Sequence, residues 1–174
     1  HKPVTTGNCI GCHSPHESNN PNLLKQNIPE LCFSCHKETQ NEIDLTYSHL
    51  PFQQQCRYCH DPHSTKNNTL TTEKLPLLCY QCHKDVEENI KSEKVVHKAV
   101  NEGTSCVGCH SPHASNNPNV LLNKGQALCL SCHNKTYKSN IGSIENIKQK
   151  LEKEHVHGVI EMEGCAPCHK PHAS

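Results

Sequence analysis

The first 36 residues of the chain, "HKPVTTGNCIGCHSPHESNNPNLLKQNIPELCFSCH" from His1 to His36, hold the pattern that the rest of the sequence repeats. Two C-x-x-C-H pentapeptides lie in this stretch, one ending at His13 and the other at His36. A further histidine, His16, follows the first pentapeptide by three residues, and His1 stands eight residues before Cys9. The stretch therefore offers one additional histidine for each of its two pentapeptides.

The pentapeptide occurs seven times and accounts for all fourteen cysteines. The cysteine pairs are Cys9–Cys12, Cys32–Cys35, Cys56–Cys59, Cys79–Cys82, Cys106–Cys109, Cys129–Cys132 and Cys165–Cys168, and the histidines after them are His13, His36, His60, His83, His110, His133 and His169. C-x-x-C-H is the attachment signature of c-type haem, in which two thiols bind the porphyrin edge and the adjacent imidazole binds iron. Structural zinc and disulfides also use C-x-x-C pairs, but neither requires the histidine. We therefore predict seven covalently bound haems c.

The composition also favours a cofactor-filled interior. Only 33% of the 174 residues are hydrophobic and 3% are aromatic, and tryptophan is absent, so the side chains alone make a poor core. Lysine plus arginine equals aspartate plus glutamate at 17 each, which gives no strong field for nucleic acid. We expect haem to supply the missing apolar surface, and we expect no nucleic-acid partner.

The pentapeptides come in pairs, which divides the chain into repeats. The first cysteines of a pair are 23 residues apart three times: Cys9 to Cys32, Cys56 to Cys79, and Cys106 to Cys129. The spacing predicts two-haem modules at residues 1–48, 49–96 and 97–154, the last with a helical spacer, and an incomplete single-haem module at residues 155–174.

Each iron needs a distal ligand as well, and two sets of histidines recur at similar positions in the modules. His1, His49 and His97 precede the first cysteine of their modules, whereas His16, His63 and His113 lie three residues past a proximal histidine. A histidine so close to a proximal ligand starts on the proximal side of its own haem. We therefore predict that the second set binds the second haem of its own module, and that the first set binds the first haem.

The last haem has three candidate distal ligands, His155, His157 and His172. His157 stands eight residues before Cys165, as His1 stands before Cys9, whereas an apolar helical stripe favours His155. We predict that His157 is the distal ligand and that His155 is a possible extra one. By its module position His172 is predicted either to bind a haem of a neighbouring subunit, linking chains head to tail and freeing His1 of the receiving chain, or to be a remnant of a shortened repeat.

The fold class predicted is mostly irregular coil with short α-helices and little or no sheet, in an elongated, repeat-like arrangement. Short helices are expected over Glu38 to Tyr47 and over Lys84 to Val100, the second carrying Val86 and Ile90 one turn apart. A third helix is expected to start at Ser143 as its N-cap and to end near Gly158. Its apolar stripe comprises Ile144, Ile147, Leu151 and His155.

The strings "CHSPH", "CHDPH", "CHSPH" and "CHKPH", together with the three 23-residue spacings, resemble the doubled-CxxCH family of multihaem c-type cytochromes. The resemblance implies low-spin haem with two histidine ligands and an electron-transport function in periplasmic or extracellular respiration. Some relatives with similar motifs polymerise into extracellular filaments, which makes a conductive filament subunit one reading of the chain. The incomplete fourth module departs from the doubled pattern.

We interpret the protein as an electron carrier rather than an enzyme. The alternative is a multihaem oxidoreductase with one open catalytic haem, but the nine histidines outside the pentapeptides exceed the seven distal positions. The partners expected are redox proteins or extracellular electron acceptors, with a head-to-tail homo-oligomer or filament as a further option. Covalent haem attachment occurs outside the cytoplasm, so we expect a periplasmic, cell-surface or extracellular location. No signal peptide or transmembrane run is visible, which fits a mature chain or a fragment.

Overall fold

Short helices joined by irregular coil make up most of the protein, which confirms the predicted fold class. The computed structural model describes residues 1–139 and 142–174. In this part of the chain the α-helices are α1 (Lys2–Thr5), α2 (Glu30–Phe33), α3 (Lys37–Asn41), α4 (Leu50–Gln54), α5 (Leu77–Tyr80), α6 (Lys84–Ser92), α7 (Gly125–Leu130), α8 (Ile147–Lys150) and α9 (Gly158–Glu163). The 3-10 turns are Cys9–Gly11, Pro21–Leu23, Glu42–Asp44, Cys56–Tyr58, Asn68–Leu70, Lys98–Val100, Ser105–Gly108 and Pro118–Val120.

The chain divides into two compact units, which are described separately. The first unit contains residues 1–83 and 111–120, and the second contains residues 84–110 and 121–174. None of the described helices has the length and the apolar character needed to cross a bilayer. The predicted four-module division stays a prediction, since a compact unit holds more than one module.

The sheets are small, and each has two antiparallel strands. In the first unit β1 (Tyr47–Ser48) pairs with β2 (Ala114–Ser115), so that Tyr47 lies opposite Ser115. In the second unit β3 (Tyr137–Ser139) pairs with β4 (Gly142–Ile144). An isolated bridge between Val96 and Ala173 in the second unit repeats the kind of contact that β1 makes with β2. In each contact, the residues just before one module pair with residues that follow the first pentapeptide of the next module.

Two of the helix predictions were too long, and one was misplaced. The helix predicted over Glu38 to Tyr47 is replaced by α3 and the 3-10 turn Glu42–Asp44, and Tyr47 lies in β1. The α6 helix ends at Ser92, because the residues after it extend to bond Ser174. In the spacer, Ser143 lies in β4, and the cap of α8 is Asn146, whose Oδ1 accepts a hydrogen bond from Gln149 N at 3.0 Å. Gly158 begins α9 instead of ending a helix.

The apolar core is sparse, as the composition predicted. Its buried members are Phe33, Phe52, Tyr80, Ile90, Val100, Ala114 and Ala173. Among the described residues no large side chain is less than 2% exposed. The polypeptide therefore lacks the burial that normally offsets the entropy of ordering so long a chain.

Candidate haem sites

All seven pentapeptides adopt the same local conformation. In each one the histidine N–H donates to the carbonyl of the first cysteine, four residues earlier, at 2.9–3.0 Å. This single helical turn places the two cysteines, three residues apart, on one face. The thiols can then meet one porphyrin edge while the imidazole projects beside them, so the backbone of every pentapeptide suits haem attachment.

A strained loop follows the first pentapeptide of each complete module. Two consecutive residues in each loop have left-handed φ values: Asn22 at 59° and Leu23 at 54°, Thr69 at 57° and Leu70 at 58°, and Asn119 at 56° and Val120 at 49°. Such conformations are costly for residues with a Cβ and are found where the surrounding structure enforces them. The same unusual geometry at three places indicates a common task.

That task is to orient the proximal imidazole. The Nδ1 of His13 lies 2.9 Å from the carbonyl of Asn22, and the Nδ1 of His60 lies 2.9 Å from the carbonyl of Thr69. A carbonyl can only accept, so Nδ1 carries the proton and Nε2 is left with a free lone pair. Ligating histidines are commonly fixed in this way, with the other ring nitrogen bonded to a backbone oxygen.

Six proximal histidines face another histidine across a nearly constant gap. The ring centres are 6.0 Å apart for His1 and His36, 6.1 Å for His13 and His63, 6.0 Å for His49 and His83, 6.2 Å for His60 and His113, 6.1 Å for His97 and His133, and 6.1 Å for His110 and His172. Each pair contains one pentapeptide histidine and one histidine from elsewhere in the same compact unit.

The size of this gap fits an iron atom held between two imidazoles. A histidine nitrogen binds a metal ion at about 2 Å, and the ring centre lies roughly 1 Å behind that nitrogen. Two imidazoles on opposite sides of one metal ion thus have centres about 6 Å apart. Aromatic rings in direct contact vary between about 4.5 and 7 Å, so six values within 0.2 Å of one another indicate a shared spacer. The residues present therefore fit haem with two histidine ligands.

Local structure positions the distal members of these pairs. His1, His49 and His97 each immediately precede a helix or a 3-10 turn. Proline follows near the start of two of these helices, where its missing N–H costs nothing. His49 is further fixed because its Nδ1 lies 2.9 Å from the carbonyl of Pro112.

His113 has the most elaborate surroundings. Its Nδ1 lies 2.8 Å from Oε2 of Glu42, and its ring stacks on Phe52 with centres 4.7 Å apart. Phe52 in turn meets the edge of Phe33 at 6.3 Å. A carboxylate bonded to the far nitrogen makes an imidazole a stronger ligand. Neither Glu42 nor Phe52 was predicted as a site residue, because a single glutamate and a single phenylalanine carry no spacing signal.

Burial favours the neutral form of two of these imidazoles. It lowers the pKa of His133, with a further contribution from His97, and it lowers the pKa of His172, with contributions from His110 and His97. The neutral imidazole is the form that binds metal ions. The environment of both rings therefore favours coordination over protonation.

The pairing of the rings differs from the one predicted from spacing. His1, His49 and His97 face the second proximal histidine of their module, not the first. His63 and His113 do not face the second haem site of their own module but reach the first site of the preceding one. For His113 the physical reason is the pairing of β1 with β2, which holds the loop after His113 against the residues just before His49.

The structure places His172 differently from what either predicted role requires. Its ring faces His110 of the same chain at 6.1 Å, and the ring of His1 faces His36 at 6.0 Å. The assignment of the individual histidines as ligands remains a prediction.

Four histidines have no such partner within the described part of the chain: His16, His155, His157 and His169. All four are exposed. His155 and His157 lie in the coil between α8 and α9, so the helical stripe that favoured His155 does not exist. His169 is the proximal histidine of the seventh pentapeptide, and its distal ligand is therefore not settled by ring geometry.

Neighbouring sites in the first unit lie close together, as their thiols show. A hydrogen bond shared with Cys32 lowers the pKa of Cys56 to about 7, and the same bond raises the pKa of Cys32, with burial and the charge of Cys12 adding to it. Burial and the charge of Cys82 raise the pKa of Cys59. Haem attachment turns these thiols into thioethers that do not titrate, so the contacts matter as a sign of proximity. They connect the first site to the second, the second to the third, and the third to the fourth.

The second unit shows the same succession. Burial and the charge of Cys132 raise the pKa of Cys109. Burial and the charge of Cys165 raise the pKa of Cys129 to about 11. The fifth, sixth and seventh sites therefore follow one another in space as they do in sequence.

Comparison with known proteins agrees with this picture. The doubled CXXCH motif family matches residues 1–41, 49–88 and 97–138, and the matches begin at His1, His49 and His97. No curated protein matches the chain. With three pairs of pentapeptides and a seventh beyond them, the protein is a multihaem c-type cytochrome. The chain belongs to the doubled CXXCH motif family.

Proposed function

We propose that the protein transfers electrons along seven covalently bound haems c, six of them held by the histidine pairs found within the chain. The observation that carries this proposal is the set of six ring pairs with centres 6.0–6.2 Å apart, each containing the histidine of a different pentapeptide. Haem iron, when bound, supplies a one-electron couple between the ferrous and ferric states.

The chain contributes position and ligand strength. Two thiols and one imidazole would anchor each group, and at the six paired sites a second imidazole would occupy the opposite side, leaving no free coordination position for a substrate there. Six-coordinate sites suit electron transfer because nothing must bind or leave during the reaction. The interactions between thiols of successive sites support transfer from one site to the next within each compact unit.

The location and the partners follow from the same chemistry. Covalent haem attachment takes place outside the cytoplasm, so the protein works in the periplasm, at the cell surface or in the extracellular space. Its partners are redox proteins or extracellular electron acceptors. Lysine plus arginine equals aspartate plus glutamate, so the protein has no net positive charge that would favour nucleic acid.

Intact mass and spectroscopy test this function together. Under denaturing conditions the isolated protein should carry seven haem increments, and a Cys79→Ala, Cys82→Ala variant should carry six. The oxidised protein should show low-spin ferric iron at the six paired sites. A mass without covalent haem, or a spectrum dominated by high-spin or methionine-bound iron, would contradict the proposal.

One observation favours a second candidate function at a single site. His169 faces no second histidine within the described residues, so its haem is the one that could bind a substrate as an oxidoreductase. Cyanide or nitric oxide binding confined to one iron in seven, followed by turnover of a small oxidised substrate, would support this alternative. Loss of both on removal of Cys165 and Cys168 would assign them to that site.

A further inference from the structure

The connection that follows the sixth pentapeptide is longer than its counterparts. It has 23 residues between His133 and His157, the next histidine that precedes a helix, against 12 and 13 residues at the same place in the first and second modules. Those shorter connections fold as α3 with a 3-10 turn and as α6. The longer one forms β3, β4 and α8, all in the second unit. The third module therefore has an additional structure, residues 134–151, which we call the insertion.

The insertion is fixed to the sixth pentapeptide by two hydrogen bonds and a ring contact. The backbone N–H of Lys148 donates to the carbonyl of His133 at 3.1 Å, and the hydroxyl of Tyr137 donates to the carbonyl of Cys132 at 2.9 Å. The ring of Tyr137 also lies 6.0 Å from the ring of His133, at an interplanar angle of 60°. The insertion therefore contacts both the cysteine and the histidine that would hold the sixth haem.

Several exposed lysines of the insertion have no ion-pair partner in the described part of the chain, namely Lys135, Lys138 and Lys148. The one glutamate of the insertion, Glu145, pairs with Lys150 instead. Other lysines of the second unit also pair with glutamates, namely Lys84, Lys91, Lys98 and Lys170. The insertion therefore presents uncompensated positive charge beside the sixth haem site.

The unpaired lysines are spread over the insertion. Nζ of Lys135 lies 5.3 Å from the centre of the Tyr137 ring, the ring that contacts His133. Successive residues of a strand point to opposite faces, so Lys138 extends away from the face on which Tyr137 meets the pentapeptide. Lys148 lies in α8. Charges on different elements and faces suit a broad anionic surface better than one small anion, which needs donors that converge on a point.

These positive charges contrast with the charge of the haem-loaded molecule. The polypeptide has as many acidic as basic side chains, and the propionate groups of haem add further negative charge. Glu152 and Glu154 follow the insertion in sequence and bound its positive stretch. Nucleic acid or an anionic membrane contacts a large area and would be repelled by such a molecule. A transient redox encounter covers less than about 1,200 Å², so a local basic surface is sufficient for it.

We propose that the insertion docks an acidic redox protein, which exchanges electrons with the chain at the sixth haem site. The proposal rests on the haem sites of the proposed function. In the reducing direction one electron leaves the partner and converts ferric iron at this site to the ferrous state, and the oxidising direction is the reverse. The partner's carboxylates pair with Lys135, Lys138 and Lys148, and charge complementarity of this kind raises the rate of encounter.

The first experiment measures electron exchange with a reduced flavodoxin, used as an acidic one-electron donor, by stopped-flow absorbance. Any donor of this kind should recognise the insertion, because charge is the feature recognised. The second-order rate constant of the unchanged protein should fall as ionic strength rises. In the triple variant Lys135→Gln, Lys138→Gln, Lys148→Gln it should be about tenfold lower at low ionic strength and nearly independent of salt.

The matched control neutralises exposed lysines on or just after α6 in the same unit: Lys84→Gln, Lys91→Gln and Lys94→Gln. It alters the net charge by the same amount, so it measures the effect of overall charge alone. Its rate constant should stay within about threefold of that of the unchanged protein and keep its salt dependence. If the two triple variants lose rate equally, the insertion is not the docking surface.

Cross-linking supplies a readout that does not depend on electron transfer. A carbodiimide joins lysine amines to carboxylates in contact with them, so the mixture with oxidised flavodoxin should give peptides linked through Lys135, Lys138 or Lys148. Links confined to other lysines would place the docking surface elsewhere and overturn the proposal.

Removing the sixth haem tests the point of electron exchange. In a Cys129→Ala, Cys132→Ala variant of the otherwise haem-loaded protein, the cross-links to the insertion should persist while the rate constant falls to that of the insertion triple variant. A rate constant equal to that of the unchanged protein would show that electrons enter at another haem, which contradicts the proposal.

The remaining outcomes separate this proposal from the proposed function. Excess dithionite should reduce every lysine variant completely, because transfer among the haems needs no docking surface. Complete reduction together with a flavodoxin rate that the insertion lysines do not affect overturns the docking surface alone. Such an unaffected rate, with binding to phosphatidylserine vesicles lost only in the insertion variant, would assign the surface to a membrane and also overturn the proposal. Absence of covalent haem overturns both.

Discussion

Replacing His63 with alanine should open one haem site in the preceding module. The ring of His63 faces His13 at 6.1 Å, so the haem at Cys9 and Cys12 would lose its distal ligand. We expect one iron in seven to change from low spin to high spin in the oxidised protein, because an iron with five ligands has a weaker field. The other five paired sites keep both histidines.

The change should also cost stability, by an amount that the loop size sets. The bond from His63 to iron closes a loop of about 50 residues back to the attachment site at Cys12. By the relation used for disulfide cross-links, closing such a loop removes about 4 kcal/mol of entropy from the unfolded chain. For a protein of this size that corresponds to a fall in Tm of roughly 8–16 °C.

Electron paramagnetic resonance and thermal melting measure the two effects, and a deletion background identifies the haem. In a Cys9→Ala, Cys12→Ala protein, the first haem is absent, so adding His63→Ala should create no further high-spin iron. If a high-spin signal still appears there, His63 binds a different haem and the reasoning is wrong. His155→Ala is the matched control, since this exposed histidine faces no other ring in the described chain, and it should leave spectrum and Tm unchanged.

Two further substitutions test the surroundings of His113. Phe52→Ala removes a ring that is 6% exposed and should lower the free energy of unfolding by about 3–5 kcal/mol in chemical denaturation. The control Tyr58→Ala removes a ring that is 60% exposed and should change that free energy by less than about 0.5 kcal/mol. Equal effects of the two substitutions would refute the packing of Phe52 against His113. Glu42→Gln removes the carboxylate 2.8 Å from Nδ1 of His113, which should weaken the imidazole as a ligand and raise one reduction potential by some tens of millivolts. Redox titration should show no such change for the control Glu38→Gln. If the two variants have identical reduction potentials, the carboxylate of Glu42 does not tune His113 as a ligand.

The sequence was sufficient to predict the short helices and to locate the seven pentapeptides that share one local turn, since both depend on local spacing. C-x-x-C-H forces one helical turn wherever it occurs, and frequent pentapeptides leave little room for long helices. The exclusion of a large core also followed directly from composition. These features need no knowledge of which distant segments meet.

The choice of ligand partners depends on such meetings and could not be read from spacing. The contact that delivers His113 to His60 is made by strands of two residues, Tyr47–Ser48 and Ala114–Ser115, too short to show a period. The carboxylate of Glu42 reaches His113 from 71 residues away in sequence. In the spacer, Asn146 outcompeted Ser143 as a helix cap because Ser143 is paired in β4.

The staggered histidine pairs set an order on the assembly of the protein. His1 and His36 lie in the same module, so the second haem of a module can gain both ligands as soon as that module is complete. On the proposed ligand assignment the first haem must wait, because His63 arrives only with the next module along the growing chain. A module exported before its successor would then hold one haem with a single histidine, open to small ligands until the successor folds against it.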